Sequence, residues 1–141
     1  MEITEETIRL GAQKEVVWGM EQYGERHWAE DLWGKIIDGK ATLFHGTSNY
    51  VLEDISRYGL QPSVAGHGYE QEEWEKEPKG GRPIPSVWLA YTPYLAFFFG
   101  DVLVQVTIPI SWITEANDGV LVEQPIPPIM IGRFLHMEDW R

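Results

Sequence analysis

Leu43-Phe44-His45-Gly46-Thr47-Ser48, followed by an amphipathic run that ends in Tyr58-Gly59-Leu60, is the stretch on which the reading of this chain turns. An apolar strand that closes on His-Gly sets an imidazole beside bare backbone, so one polar ligand can approach both. Ala41 to Phe44 predicts a short buried strand. After it Asn49 can cap a helix whose Val51, Leu52, Ile55 and Tyr58 share one apolar face, and Gly59 ends that helix.

Working outward toward the N-terminus, Ile8, Ala12, Val16, Met20 and Tyr23 recur at helical spacing from Thr4 onward, and Trp28, Leu32 and Ile36 continue four apart to about Asp38. This predicts two helices packed on a sheet. Gly24 is the expected break, because Gly inside a helix costs about 1 kcal/mol relative to Ala. Asp38-Gly39 then supplies a turn.

Toward the C-terminus, residues 61 to 85 gather polar, Gly and Pro residues, including the acidic run Glu70 to Glu77 and Lys79-Gly80-Gly81-Arg82. A loop of that length is a lid over a ligand or a mobile insert. Ser86 to Ala90 reads as a second strand, and Thr92-Pro93 opens a short helix ending near Gly100. Val102, Val104, Val106 and Ile108 face one way and Leu103, Gln105 and Thr107 the other, the clearest strand in the chain. Gly119 to Glu123 is a further strand, Pro125 to Pro128 a rigid bend, and Ile129 to Leu135 the last strand.

Composition bounds the function. A chain of 141 residues with 43% hydrophobic content, seven Trp, six Tyr and five Phe has apolar material for one domain, residues 1–141, divided into an N-terminal helical segment (1–40) and a core (41–135). No apolar run reaches the roughly 18 residues of a membrane helix, and the acidic start lacks the pattern of a secretory signal, so a soluble, cytoplasmic protein is expected with no membrane partner. The absence of cysteine excludes disulfides, thiolate metal sites and cysteine nucleophiles. His27, His67 and His136 stand in no HExxH-like spacing, so no metal is expected. A net charge of −11 opposes broad nucleic-acid binding, although a local basic patch can still hold a dinucleotide.

The order strand-His-Gly, helix, long loop, strand, short Ala-Phe-rich helix, alternating strand, then a strand ending in Glu123 before Pro-Ile-Pro-Pro resembles the ADP-ribosyltransferase fold over about residues 41 to 135. Within it the chain is similar to the His-Tyr-Glu branch shared by the poly(ADP-ribose) polymerases and diphtheria-type toxins. The resemblance implies an α+β fold with a split β-sheet core. It also implies a substrate, NAD, whose adenosine ribose meets His45 and whose nicotinamide carboxamide pairs with the backbone of Gly46. Thr47 and Ser48 would flank that ribose. Trp88 and Phe99 fall where the family sandwiches the nicotinamide ring, Trp88 replacing the usual Tyr; flat aromatic faces suit a cationic pyridinium. Tyr91 or Tyr94 are alternative rings. Glu123 takes the position of the carboxylate that stabilises the oxocarbenium ion as nicotinamide leaves, so His45, Trp88 and Glu123 form the implied catalytic set. Leu121, two residues earlier, is neither Gln nor Glu and disfavours arginine as acceptor. Arg82, Lys79 or Arg57 are candidates by type for the pyrophosphate.

The leading reading is therefore a mono-ADP-ribosyltransferase, of the size of a toxin or effector, with a protein side chain favoured as acceptor. The alternatives are a catalytically silent interaction module of the same fold, which the Trp at position 88 supports, and NAD glycohydrolysis. RNA 2′-phosphotransfer is opposed by the acidic charge and the few arginines.

Overall fold

The computed structural model describes residues 2–63 and 84–140. The chain is α+β, with two antiparallel sheets and a few helices. It opens with α1 (Glu5–Tyr23), a helix begun by a reciprocal Thr4–Thr7 capping box and ended at Gly24. A second helix does not follow. Gly24 and Ala29 take positive φ, residues 30–32 form only a 3-10 turn, and Ile36–Ile37 is a strand, β1. Helical spacing misled here because Trp28, Ala29 and Trp33 pack one by one against a core of Phe44, Tyr94 and Trp140 instead of sharing one helical stripe. Asp38 and Gly39, both at positive φ, close a two-residue hairpin in which Ile37 pairs with Lys40.

That hairpin leads into β2 (Lys40–Thr47), three residues longer at its end than the apolar run predicts, because His45, Gly46 and Thr47 stay paired to Val104, Leu103 and Val102 of β4 (Val102–Pro109). A 3-10 turn at Asn49–Val51 precedes α2 (Leu52–Tyr58), with Gly59 as its C-cap. β3 (Val87–Leu89) is followed by α3 (Pro93–Ala96), where the Thr92 hydroxyl accepts the Tyr94 amide at 3.2 Å as N-cap, then by a 3-10 turn at Phe97–Phe99. β5 (Ile113–Asn117) carries no clean alternation and is invisible to pattern reading. β6 (Gly119–Val122) and β7 (Ile131–His136) complete the fold.

The larger sheet runs β1-β2-β4-β7 and the smaller β3-β6-β5. One backbone bridge joins them: Phe44 and Ala90 exchange hydrogen bonds at 3.0 and 2.7 Å. Alternation along β2 and β4 gives the larger sheet two buried faces. Ala41, Leu43, Val104, Val106 and Ile108 pack toward Val87, Leu89, Val120 and Val122 of the smaller sheet, while Phe44 and Leu103 join Ala90, Tyr94, Ala96 and Phe97.

α1 lies on this assembly through Ile8, Ala12, Glu15 and Gly19, with Val16 and Met20 half-buried and Tyr23 exposed. The buried stripe therefore passes through two residues that hydropathy alone assigns elsewhere. Gly11 and Gly19 lack the Cβ that would strike the rings of Tyr91 and Tyr94, which brings helix and tyrosines into direct contact. No helix among the described residues is long and apolar enough to cross a membrane.

Candidate functional site

The site grows from the end of β2. Side chains at 41, 43 and 45 point to the smaller sheet, so His45 continues a hydrophobic column and comes to rest where that sheet begins. There Nδ1 lies 2.9 Å from the Trp88 carbonyl oxygen. A carbonyl only accepts, so Nδ1 carries the proton and donates, leaving Nε2 as a lone pair. Burial pushes the imidazole pKa below its ordinary value, against the smaller opposite pull of that carbonyl. The ring is neutral and oriented.

Backbone groups at even positions of β2 face away from β4, as the Phe44–Ala90 bridge shows. The next such position is Gly46, whose N–H and C=O meet no hydrogen-bonding partner among the described residues. The lack of a side chain at Gly46 has a packing cause that sequence reading missed: a Cβ would collide with the Ala96 carbonyl oxygen and stand 3.3 Å from the Phe99 Cβ. Glycine lets the end of α3 and the Phe99 turn close over the strand.

His45, Gly46, Trp88 and Phe99 thus meet around one cleft of about 310 Å³, which Gln61, Ser63, Ser86 and Val87 complete. Ser63 and Ser86 exchange backbone hydrogen bonds at 3.0 Å and hold its far wall. His45 and Gln61 also line an adjoining groove of about 480 Å³ against α2, with Asp54 and Tyr58. The Trp88 and Phe99 rings touch each other, centroids 4.4 Å apart at 52°. A flat ring between them would need about 7 Å, two stacking distances, so the pair is closed.

Glu123 is exposed, one residue beyond β6. Trp88 pairs with Leu121 and Val87 with Val122. The pairing ends there, and the chain bends at Glu123 and Gln124. Glu123 does not line the cavity.

The remaining predicted residues separate. Thr47 is half-buried beside Gly100, and Ser48 starts the 3-10 turn with its backbone while its hydroxyl makes no cap hydrogen bond. Neither lines the cleft. Tyr91 lies elsewhere, its ring on Gly11 and its hydroxyl donating to the Asn117 carbonyl at 3.2 Å. Tyr94 is fully buried, its hydroxyl accepting the Arg26 amide at 2.8 Å and donating to the Gly24 carbonyl at 3.0 Å. Arg57 reaches Glu53 on its own helix. Arg82, Lys79, the acidic run 70–77 and His67 lie outside the described residues, and among the described residues no three potential metal ligands gather. Gln61, Ser63 and Ser86 escaped sequence reading, as small polar residues beside strands carry no chemical signature.

Compared with known proteins, the chain matches no family model, no curated protein and no solved structure.

Proposed function

We propose that the chain is an NAD-dependent mono-ADP-ribosyltransferase built on an ADP-ribosyltransferase-like core, with a protein side chain as acceptor. The observation that carries this reading is the His45–Trp88 hydrogen bond, which orients an acceptor-only imidazole nitrogen at an aromatic cleft where the Gly46 backbone offers one donor and one acceptor that no described residue engages. An amide such as a nicotinamide carboxamide needs that donor–acceptor pair. A ribose hydroxyl, which can donate, suits the bare Nε2. In the reaction the bond between the ribose C1′ and the nicotinamide nitrogen breaks, its electron pair leaves with nicotinamide, and the acceptor's lone pair forms the new bond to C1′ and releases its proton. Glu123, just beyond β6, is assigned the role of stabilising the developing positive charge, which requires it to swing to the cleft when NAD binds.

The test is nicotinamide release from NAD. Wild type should turn over and Glu123→Gln should lose about 100-fold or more in kcat; labelled NAD in a lysate then identifies what is modified. A second reading, a silent interaction module, draws support from the closed Trp88–Phe99 pair. It expects no turnover from wild type and variant alike.

A further inference from the structure

A second cavity, of about 430 Å³, lies between α1 and the β5–β6 turn and shares no lining residue with the cleft. One stripe of α1, formed by Gly11, Lys14, Glu15 and Trp18, makes one wall; Tyr91 and Asp118 face it. It opens along the helix into a groove that shares Gly11, Lys14, Tyr91 and Asp118 and ends near Glu6. Glu15 is the buried charge-bearing residue here, 7% exposed. Its Oε1 accepts the Tyr91 amide at 3.2 Å and its Oε2 accepts the Thr92 hydroxyl. A carboxylate has about four lone-pair sites, so acceptor capacity remains. Among the described residues no Lys, Arg or His forms an ion pair with it, although Lys14 lines the same cavity.

A buried carboxylate that ionises without a paired counter-charge is costly, and among the described residues no ion pair supplies one to Glu15, the Lys14 side chain being on the wall without reaching it. The volume suits a small organic molecule, and indole and phenol faces attract cations as well as apolar bodies. With Glu15 and Asp118 as the carboxylates present, a divalent metal would find too few ligands. We propose that this cavity binds a small organic ammonium ion, with Glu15 as its counter-charge and the Trp18 and Tyr91 rings as its walls.

The chemistry sets a pH signature. Burial, with a smaller contribution from Asp118, pushes the Glu15 pKa up to about 8, so an entering ammonium must displace a proton below that pH. An ordinary amine, with a pKa of ~10, stays charged over the same range. Affinity therefore rises about tenfold per pH unit from about pH 6 to about pH 8 and then levels. Nothing here depends on NAD chemistry.

The experiment is calorimetric titration of the full chain with phenethylammonium and, in parallel, with its uncharged isostere 2-phenylethanol. The expected result is saturable binding of the amine at millimolar concentration or below, at least about tenfold weaker binding of the alcohol, and at least about tenfold loss in Glu15→Gln. Asp118→Asn, on an exposed turn, leaves the buried hydrogen bonds intact and should weaken the amine by about threefold; it decides the matter should Glu15→Gln not fold. Equal affinity for amine and alcohol, an unchanged Glu15→Gln, an unchanged Asp118→Asn, or no saturable heat from the amine overturns the proposal.

Discussion

His45 and Glu15 grip the same short segment, residues 88–92, one through the Trp88 carbonyl and the other through the Tyr91 amide and Thr92 hydroxyl. One is a potential cation and the other a potential anion, and burial neutralises both: the imidazole pKa moves down and the carboxyl pKa up to about 8. They differ in what is left over. His45 uses its one proton on the backbone and presents a lone pair to the cleft of Trp88 and Phe99, whereas Glu15 keeps spare acceptor capacity in the cavity of Trp18 and Tyr91. The same physics makes one a hydrogen-bond acceptor at a candidate reaction site and the other a carboxyl that holds its proton until a cation or a rise in pH removes it.

The largest effect that sharpens this contrast is on stability. Between the ordinary Glu value of 4.5 and about 8, the folded chain holds a proton that the unfolded chain has released, so stability falls as pH rises. The slope is about 1.4 kcal/mol per pH unit, several kcal/mol across the interval. Glu15→Gln, which cannot ionise, should remove this slope and gain on wild type with each step in pH, read as melting temperature against pH. Parallel curves for the two proteins would mean that Glu15 is charged in the fold.

Next comes activity. His45→Ala should lower nicotinamide release from NAD by about 100-fold, near 2.7 kcal/mol, while Glu15→Gln changes it by less than about threefold. Equal losses would erase the distinction between reaction site and remote cavity. Gly46→Ala should cost about 1–3 kcal/mol in denaturant unfolding, because the new methyl meets the Ala96 carbonyl, and should weaken any cleft ligand as well. Stability unchanged by that substitution would remove the packing role assigned to the glycine. The smallest effect is on the acid side. Below the ordinary His value of 6.5 the unfolded chain takes up a proton that folded His45 resists, so stability falls on acidification, and His45→Gln should flatten that limb without touching the alkaline one.

Sequence made the two regions unequally legible. His45-Gly46 stands out because both residue types are unusual at the end of an apolar strand, and Thr92-Pro93 because N-cap chemistry is local. Glu15 hides because a Glu on an amphipathic helix is ordinarily solvated. Its only trace is spacing, seven residues from Ile8, three from Ala12 and four from Gly19, on the stripe that proves buried. The cooperative parts were harder. β5 exists because β6 is there to pair with it, with a register shift between Ile113 and Glu115, and the stretch from Trp28 to Trp33 is shaped by separate aromatic contacts that no local period encodes. Trp88 and Phe99 could be paired from their positions, but their mutual contact is a tertiary fact.

The free edge at Gly46 has a consequence of its own. Between the Ala90 bridge and the end of β2 at Thr47, the strand turns a single outward-facing donor–acceptor pair to the cleft. An extended peptide adding itself to a sheet needs several such pairs in succession, and among the described residues this stretch of β2 offers one. One donor beside one acceptor matches the hydrogen-bonding edge of a single planar amide.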